Sequence, residues 1–403
     1  MTEKLAEYKG ELENELHEIL SWWMKMSIDE DHGGFVGKID HDNTISREAA
    51  KGSVLNSRIL WAFSSAYNVT KDRQYRKVAE RAFHYIAEHF IDKEFGGVYW
   101  SADFTGKPLD TKKQIYALAF CVYGLSEFYR ATKNENAKKI AIYIYNDILT
   151  HSYDEKFGGY LEALTREWKQ AADLRLSEKD ANEKKSMNTH LHLLEAFASL
   201  YRIWKDRSLK RRIVEIIRIF LDHIVDSKTN HLILFFDEAW TPKSNIISYG
   251  HDIEASWLLQ EAGEVIGEES LLDEVKTISV KIALASAKGL DGDGGLWYEY
   301  DALQQQLTRE KHSWPQAEAM IGFFNTWQLT GNDKFLKQSL QSWEFVKEHM
   351  LDRTLGEWYW GVNADHSPMR EREKVGFWKC PYHNSRACIE IIQRIENIFK
   401  EKK

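Results

Sequence analysis

Apolar and polar positions along the chain fall into paired segments of helix length. Residues 114–129 are apolar nearly all round. Thr132-Lys133-Asn134 interrupts them, and 137–149 then carries apolar residues on one face and charged residues on the other. Related interruptions stand at Thr70-Lys71-Asp72, Trp204-Lys205-Asp206 and Thr330-Gly331-Asn332-Asp333. Segments 75–90, 209–224 and 335–350 follow them with charged faces. A helix that is apolar all round is buried, and one with a charged stripe faces water. The first member of each pair is therefore predicted to line an inner ring and the second an outer ring. The outer segments are roughly 5–26, 73–91, 135–150, 208–225, 269–288 and 333–350. The inner ones are roughly 53–67, 113–131, 186–204, 251–266, 314–329 and 383–398.

A turn punctuates the pairs. It reads Asp31-His32-Gly33-Gly34-Phe35, Phe95-Gly96-Gly97-Val98, Phe157-Gly158-Gly159-Tyr160 and Asp293-Gly294-Gly295-Leu296. Weaker copies stand at Leu355-Gly356-Glu357 and Asn230-His231-Leu232. Taken at 33, 96, 158, 231, 294 and 356, the copies recur every 62 or 63 residues, apart from one interval of 73. A fixed period of this length marks repeated supersecondary units. Six helix pairs can close into an (α/α)6 barrel, whose rival is an open solenoid. The first segment reads as outer and the last as inner, so the two ends can complete one ring. The whole chain, 1–403, is then expected to be a single catalytic domain.

Composition narrows the function. The formal net charge of −8 gives no reason to expect nucleic acid or an anionic membrane as partner. No apolar stretch approaches the roughly 20 residues needed to span a bilayer, and residues 1–20 lack the apolar core of a signal peptide. Cys121, Cys380 and Cys388 are too few and too scattered for a disulfide framework or zinc site, so a reducing cytoplasm is expected. Fifteen Trp residues fit either a large core or a carbohydrate cleft.

About twenty residues after each turn, where an inner helix begins, stand unusual side chains: Gln114 and Tyr116, His251, Trp314, Trp378 and His383. Arg58 lies a few residues later in its unit, and Asn188 and His192 are delayed by an insertion before Met187. Residues at one phase of a closed repeat share one end of the barrel, so these are predicted to converge on one cavity. His192, His251 and His383 can exchange protons near neutral pH. Arg58 can stabilise an oxyanion, and Trp314 and Trp378 offer flat faces to a sugar. Glu254, three residues after His251, is placed to orient its imidazole.

Each residue also has a bland reading. A single His at a helix start is more often a cap, a Trp on an inner helix is more often core, and the charged stretch 177–185 reads as a solvated loop. Joint occurrence at one phase favours a site. The three histidines come from three helices without His-x-x-x-His spacing, so no metal is expected. A glycosidase would need two carboxylates flanking the bond, for which Glu254 and Glu318 are the candidates.

The segments Lys179-Asp180-Ala181-Asn182, Met187-Asn188-Thr189-His190-Leu191-His192, Gly250-His251-Asp252-Ile253-Glu254-Ala255-Ser256, Trp314-Pro315-Gln316-Ala317-Glu318 and Trp378-Lys379-Cys380-Pro381-Tyr382-His383 resemble cellobiose 2-epimerases of the N-acylglucosamine 2-epimerase superfamily. The resemblance runs from the first turn to the last helix. It implies an (α/α)6 barrel that epimerises the reducing-end glucose of a β-1,4-linked disaccharide at C2, without cofactor. His251 and His383 match the family's acid/base pair, and His192 matches a third active-site histidine. Arg58, Tyr116, Asp180, Asn188, Glu254, Trp314, Glu318 and Trp378 match its substrate-contacting or supporting residues. The expected partner is a small disaccharide, taken by a cytoplasmic monomer. N-acylglucosamine epimerase or mannose isomerase activity, a hydrolase of the same fold, and a non-catalytic sugar-binding protein are the alternatives.

Overall fold

A computed structural model describes residues 2–401. The inner helices are α2 (Ser53–Thr70), α4 (Ile115–Thr132), α6 (Met187–Ile203), α8 (Tyr249–Ile266), α10 (Ser313–Thr330) and α12 (Tyr382–Glu401). The outer ones are α1 (Thr2–Met26), α3 (Arg73–Tyr85), α5 (Glu135–His151), α7 (Arg207–Ile219), α9 (Glu269–Ser286) and α11 (Asp333–Phe345). Five-residue π turns extend α3, α7 and α11 to the ends the hydrophobic pattern predicts. Each inner helix packs on the next, and α12 packs on α2, so the six pairs close into an (α/α)6 barrel.

The predicted breaks are compact caps. Lys71, Lys133, Gly267 and Gly331 take the left-handed conformation after α2, α4, α8 and α10. Asp72, Asn134, Asp206 and Asn332 then cap α3, α5, α7 and α11 by accepting backbone N–H bonds. The opposite end of the barrel is built differently. Short antiparallel pairs stitch each unit to its neighbour: Lys51-Gly52 to Ser101-Ala102, Lys113-Gln114 to Ala163-Leu164, Lys185-Ser186 to Phe235-Phe236 and Lys311-His312 to Gly361-Val362. A longer sheet joins Ile246–Ser248 to Glu299–Asp301, and the bridge Ile39↔Val375 closes the seam.

An ion pair from a buried lysine braces most of the turns. Lys51 Nζ lies 2.7 Å from Asp29, Lys113 2.8 Å from Asp92, Lys185 2.7 Å from Asp154, Lys311 2.8 Å from Asp291 and Lys374 2.7 Å from Asp352. In the fourth unit Asp252 substitutes, accepting from Leu232 N at 2.8 Å and meeting His231 Nδ1 at 2.6 Å. That unit also corrects the repeat. Asn230, at φ +61°, takes the first glycine's place and His231 the second, because Val225 bridges Leu232 as Ile28 bridges Phe35. The glycines are required where side chains crowd the turn. A Cβ on Gly159, at φ +78°, would stand 2.4 Å from Trp240 and 2.8 Å from His190 Nε2.

Candidate active site

The inner helices are buried on almost every side, yet four residues in their first two turns are only partly buried: Asn188, His251, Trp314 and His383. All four stand near the starts of their helices, at the stitched end of the barrel. The N-termini of the inner helices gather there, and their partial positive charge favours a developing anion.

His192 on α6 turns Nδ1 to Glu195 Oε2 at 3.0 Å and packs edge-on against Tyr116, with ring centroids 5.0 Å apart. His383 on α12 turns Nδ1 to Glu318 Oε1 at 2.7 Å. His251 on α8 meets Ser248 Oγ at 2.8 Å through Nδ1. The ring of Trp314 lies between the last two, 4.7 Å from His251 and 5.5 Å from His383. Each imidazole is thus held through Nδ1.

Arg58, fully enclosed by protein, donates from Nη2 to Tyr116 Oη at 2.6 Å and rests on Phe120 at 4.1 Å and Tyr382 at 4.9 Å. Its Nε has no partner among the described residues, and neither has the buried Oδ1 of Asn188. Trp378 sits 5.9 Å from Tyr116 and 5.8 Å from Trp100. Asp180 lies in the loop between the short strands Ala163-Leu164 and Lys185-Ser186, where it accepts from the Ser177 backbone at 2.8 Å and hydroxyl at 3.0 Å. No contact ties it to the histidines among the described residues.

The sequence-based pairing of Glu254 with His251 is incorrect. Glu254 Oε1 accepts from Arg386 Nη2 at 2.6 Å and lies 3.9 Å from His383. Ser248, at the start of α8, supplies the partner of His251. Sequence reasoning also missed Glu195, Arg386, Tyr382 and Trp257. Arg386 donates to Glu195 through Nη1 and to Glu318 Oε1 through Nη2 at 2.6 Å. Tyr382 Oη donates to Glu195 Oε1 at 2.6 Å, and Trp257 Nε1 to Glu318 Oε2 at 3.0 Å. Helical spacing carried the signal: Glu195 is three residues after His192, and Arg386 three after His383.

Burial sets the protonation states. It pushes His251 down to about 3, with the His192 charge adding to the effect. His383 is held well below its ordinary value by burial, then by Arg58 and Arg386, and burial also lowers His192. Burial works against ionisation of Glu195, but Arg386 and His192 bring it to about 2. Glu254 is raised to about 8 by burial and by the Glu318 charge.

Glu254, Glu318 and His383 are the one trio among the described residues that could hold a metal ion. Arg386 Nη2 already lies on Oε1 of both carboxylates, and His383 Nδ1 lies on one of those same atoms. A dication would have to displace a guanidinium to reach these ligands, so the donor set fits an organic cation. The same contacts argue against glycoside hydrolysis. Both carboxylates are turned to Arg386, whereas a glycosidase needs them flanking the scissile bond.

Known proteins share this arrangement of helices. Residues 33–387 match the N-acylglucosamine 2-epimerase (GlcNAc 2-epimerase) family. A cellobiose 2-epimerase of Bacteroides fragilis is 49% identical over 95% of this chain and 98% of its own. The solved cellobiose 2-epimerase of Bacillus thermoamylovorans superposes with a TM-score of 0.93 at 40% identity, covering 96% of this chain and all of that one. That of Spirochaeta thermophila superposes with a TM-score of 0.93 at 35% identity, covering 98% of each. With the match running from the first Gly-Gly turn into the last inner helix, the chain belongs to the N-acylglucosamine 2-epimerase family.

Proposed function

We propose that this enzyme interconverts the reducing-end glucose and mannose of β-1,4-linked disaccharides such as cellobiose and lactose by epimerisation at C2. The likeness to cellobiose 2-epimerases supports the substrate class. The observation that carries the chemistry is the set of three histidines at one end of the barrel, two of them anchored through Nδ1 by buried carboxylates. An ionised carboxylate accepts the Nδ1 proton, which leaves the Nε2 lone pair free to act as a base.

The reducing-end pyranose opens as histidine moves protons between O1 and O5. The C1 carbonyl then acidifies the C2 proton, and His383 Nε2 removes it. The imidazolium so formed keeps its Nδ1–H on Glu318. A cis-enediolate results, held by Arg58, with His192 helping once its Nε2 has taken up the O1 proton during ring opening; donors aimed at such an oxyanion are worth roughly 10²–10³ in rate. Rotation about C2–C3 presents the opposite face to His251, which takes up a proton from solvent and delivers it to C2 as its imidazolium, while His383 returns its own proton to solvent. Burial makes that imidazolium a strong acid, and the neighbouring enediolate favours its charge until transfer. Ring closure gives the mannose configuration. The substrate carbonyl is the electron sink, so no cofactor takes part. Tyr116 and Asn188 bind sugar hydroxyls, Trp314 and Trp378 stack on sugar rings, and Asp180 reaches in from its loop. Glu318 supports His383 from behind, and Glu254 shares Arg386 with it. Protonation at C1 instead of C2 would give the ketose as a side product. On the same reading the chain is one catalytic domain, a cytoplasmic monomer acting on a small disaccharide.

Proton NMR with cellobiose in D₂O tests the reading. The expected product is 4-O-glucosyl-mannose carrying deuterium at C2, absent with His383→Ala. Free glucose would instead reveal a hydrolase. An unreacted disaccharide with turnover of N-acetylmannosamine or mannose would move the enzyme to another branch of the family.

A further inference from the structure

One buried cation stands behind both anchored histidines. Arg386 has no exposed surface. Its Nη1 donates to Glu195 and contacts the Tyr382 hydroxyl, and its Nη2 lies 2.6 Å from Glu254 Oε1 and 2.6 Å from Glu318 Oε1. Glu195 holds His192 on α6, and Glu318 on α10 holds His383 on α12. We propose that Arg386 is a positioning residue of the epimerisation: its planar fork fixes Glu195 and Glu318 together, so that His192 and His383 both present an unprotonated Nε2 to the sugar. The proposal rests on the epimerase reading and adds to it a residue that touches no substrate.

The argument is one of charge and direction. A buried carboxylate without a cation takes up a proton. It could then donate to imidazole Nδ1 instead of accepting from it, and the imidazole would turn an N–H towards the substrate. Arg386 prevents this at two carboxylates on separate helices, which a point charge such as lysine could not bridge in the same geometry. Three carboxylates meet this one guanidinium, so the cluster has an excess of acid groups. The carboxylate left to carry a proton is Glu254, which has no histidine within hydrogen-bond distance. Burial raises Glu254 to about 8 and raises Glu318 as well, while Glu195 falls to about 2; Glu318 takes three donors, His383, Arg386 and Trp257, whereas Glu254 takes Arg386 alone. The charged groups acting on His383 are Glu318 and Glu254, Arg386, Arg58, His192 and Glu195. Those acting on His192 are Glu195, Arg58 and Arg386, with His251 adjacent.

Glu195→Gln is a sharp probe. Arg386 and Tyr382 both donate to Glu195 Oε1, so the amide nitrogen must take the Oε2 position and donate to His192 Nδ1. The tautomer of His192 should invert with little change of shape.

The experiment is histidine ¹⁵N NMR of the free enzyme, with kcat, KM and the pH profile of cellobiose epimerisation measured alongside. The expected wild-type spectrum has His192 and His383 protonated at Nδ1. Arg386→Lys should mix the tautomers and lower kcat on the order of 10- to 100-fold, as loss of a histidine-orienting partner does elsewhere, with KM little changed. Arg386→Met removes the charge that depresses both histidines, so the acid limb of the profile should move to higher pH. Glu195→Gln should invert His192 alone, and it decides the matter if the Arg386 variants do not fold. An Nε2–H on either histidine in the wild type, or Glu195→Gln with wild-type tautomer and kcat, overturns the proposal. Expected tautomers in an enzyme that leaves cellobiose unchanged would overturn the epimerase reading alone.

Discussion

Replacing Glu318 by Gln tests how far the proposed base depends on the carboxylate behind it. Every contact of Glu318 comes from a donor: His383 Nδ1 at 2.7 Å and Arg386 Nη2 at 2.6 Å on Oε1, and Trp257 Nε1 at 3.0 Å on Oε2. A glutamine amide has one acceptor atom and one donor atom in the same space. If its oxygen keeps His383, its nitrogen faces the indole N–H; reversed, it faces the imidazole and the guanidinium. In the first arrangement the imidazolium formed after C2 deprotonation keeps its bond but loses the carboxylate charge opposite it, a weakening of roughly 1.5–3 kcal/mol. At 1.36 kcal/mol per decade of rate this is about 10- to 160-fold in kcat. The second arrangement also inverts the tautomer and costs more. Initial rates of cellobiose epimerisation across a substrate series separate kcat from KM, and circular dichroism verifies the fold. A folded variant whose kcat stays within about twofold of wild type, a difference of only ~0.4 kcal/mol, would refute the anchoring argument and take His383 out of the base role.

Arg58→Ala should lower kcat on the order of 10²–10³-fold through loss of the oxyanion partner, read by the same kinetics; a change confined to KM would reassign Arg58 to ground-state binding. The pH profile of kcat/KM should hold as pH falls below 6.5, the ordinary histidine value. Burial, Arg58 and Arg386 keep His383 neutral there, and activity is lost only as pH passes through its lowered value; an acid limb at or above 6.5 contradicts this. Lys113→Met leaves the fully buried Asp92 to Arg166 alone, so urea unfolding should show a loss of roughly 1–3 kcal/mol. Gly159→Ala should destabilise by more than about 1 kcal/mol, because its φ is positive and its Cβ would meet Trp240.

The architecture was legible because a two-layer ring needs two kinds of helix, and burial writes each kind into a different pattern. The breaks were legible because Asp72, Asn134, Asp206 and Asn332 are helix caps, whose chemistry is local. Repeat phase located His192, His251, His383, Trp314 and Arg58, since closure of the ring turns equal phase into shared space. Partners across the ring were harder. Nothing in the sequence near His383 shows that its carboxylate comes from α10. The spacing that suggested Glu254 for His251 was an available contact that Arg386 outcompetes. His190, two residues from His192, illustrates the opposite case: it accepts the Tyr160 N–H at 3.0 Å and serves a turn. The lysine–aspartate braces went unread, although Lys51, Lys113, Lys185 and Lys311 keep a second periodicity against Asp29, Asp92, Asp154 and Asp291, because only their burial in the fold shows what they do.

The seam between Ile39 and Val375, with α12 packed on α2 and α1, has a consequence for biogenesis. A linear solenoid grows unit by unit and protects its ends with polar caps. This ring has no such caps, and until α12 arrives the apolar flanks of α2 and α10 face water. The helix that seals them also carries His383 and Arg386. On the ribosome, where the N-terminal part emerges first, the nascent chain therefore remains a sticky, catalytically silent arc through most of its synthesis. Completion of the wall and acquisition of the proposed base then come in one step, so a half-made copy lacks both.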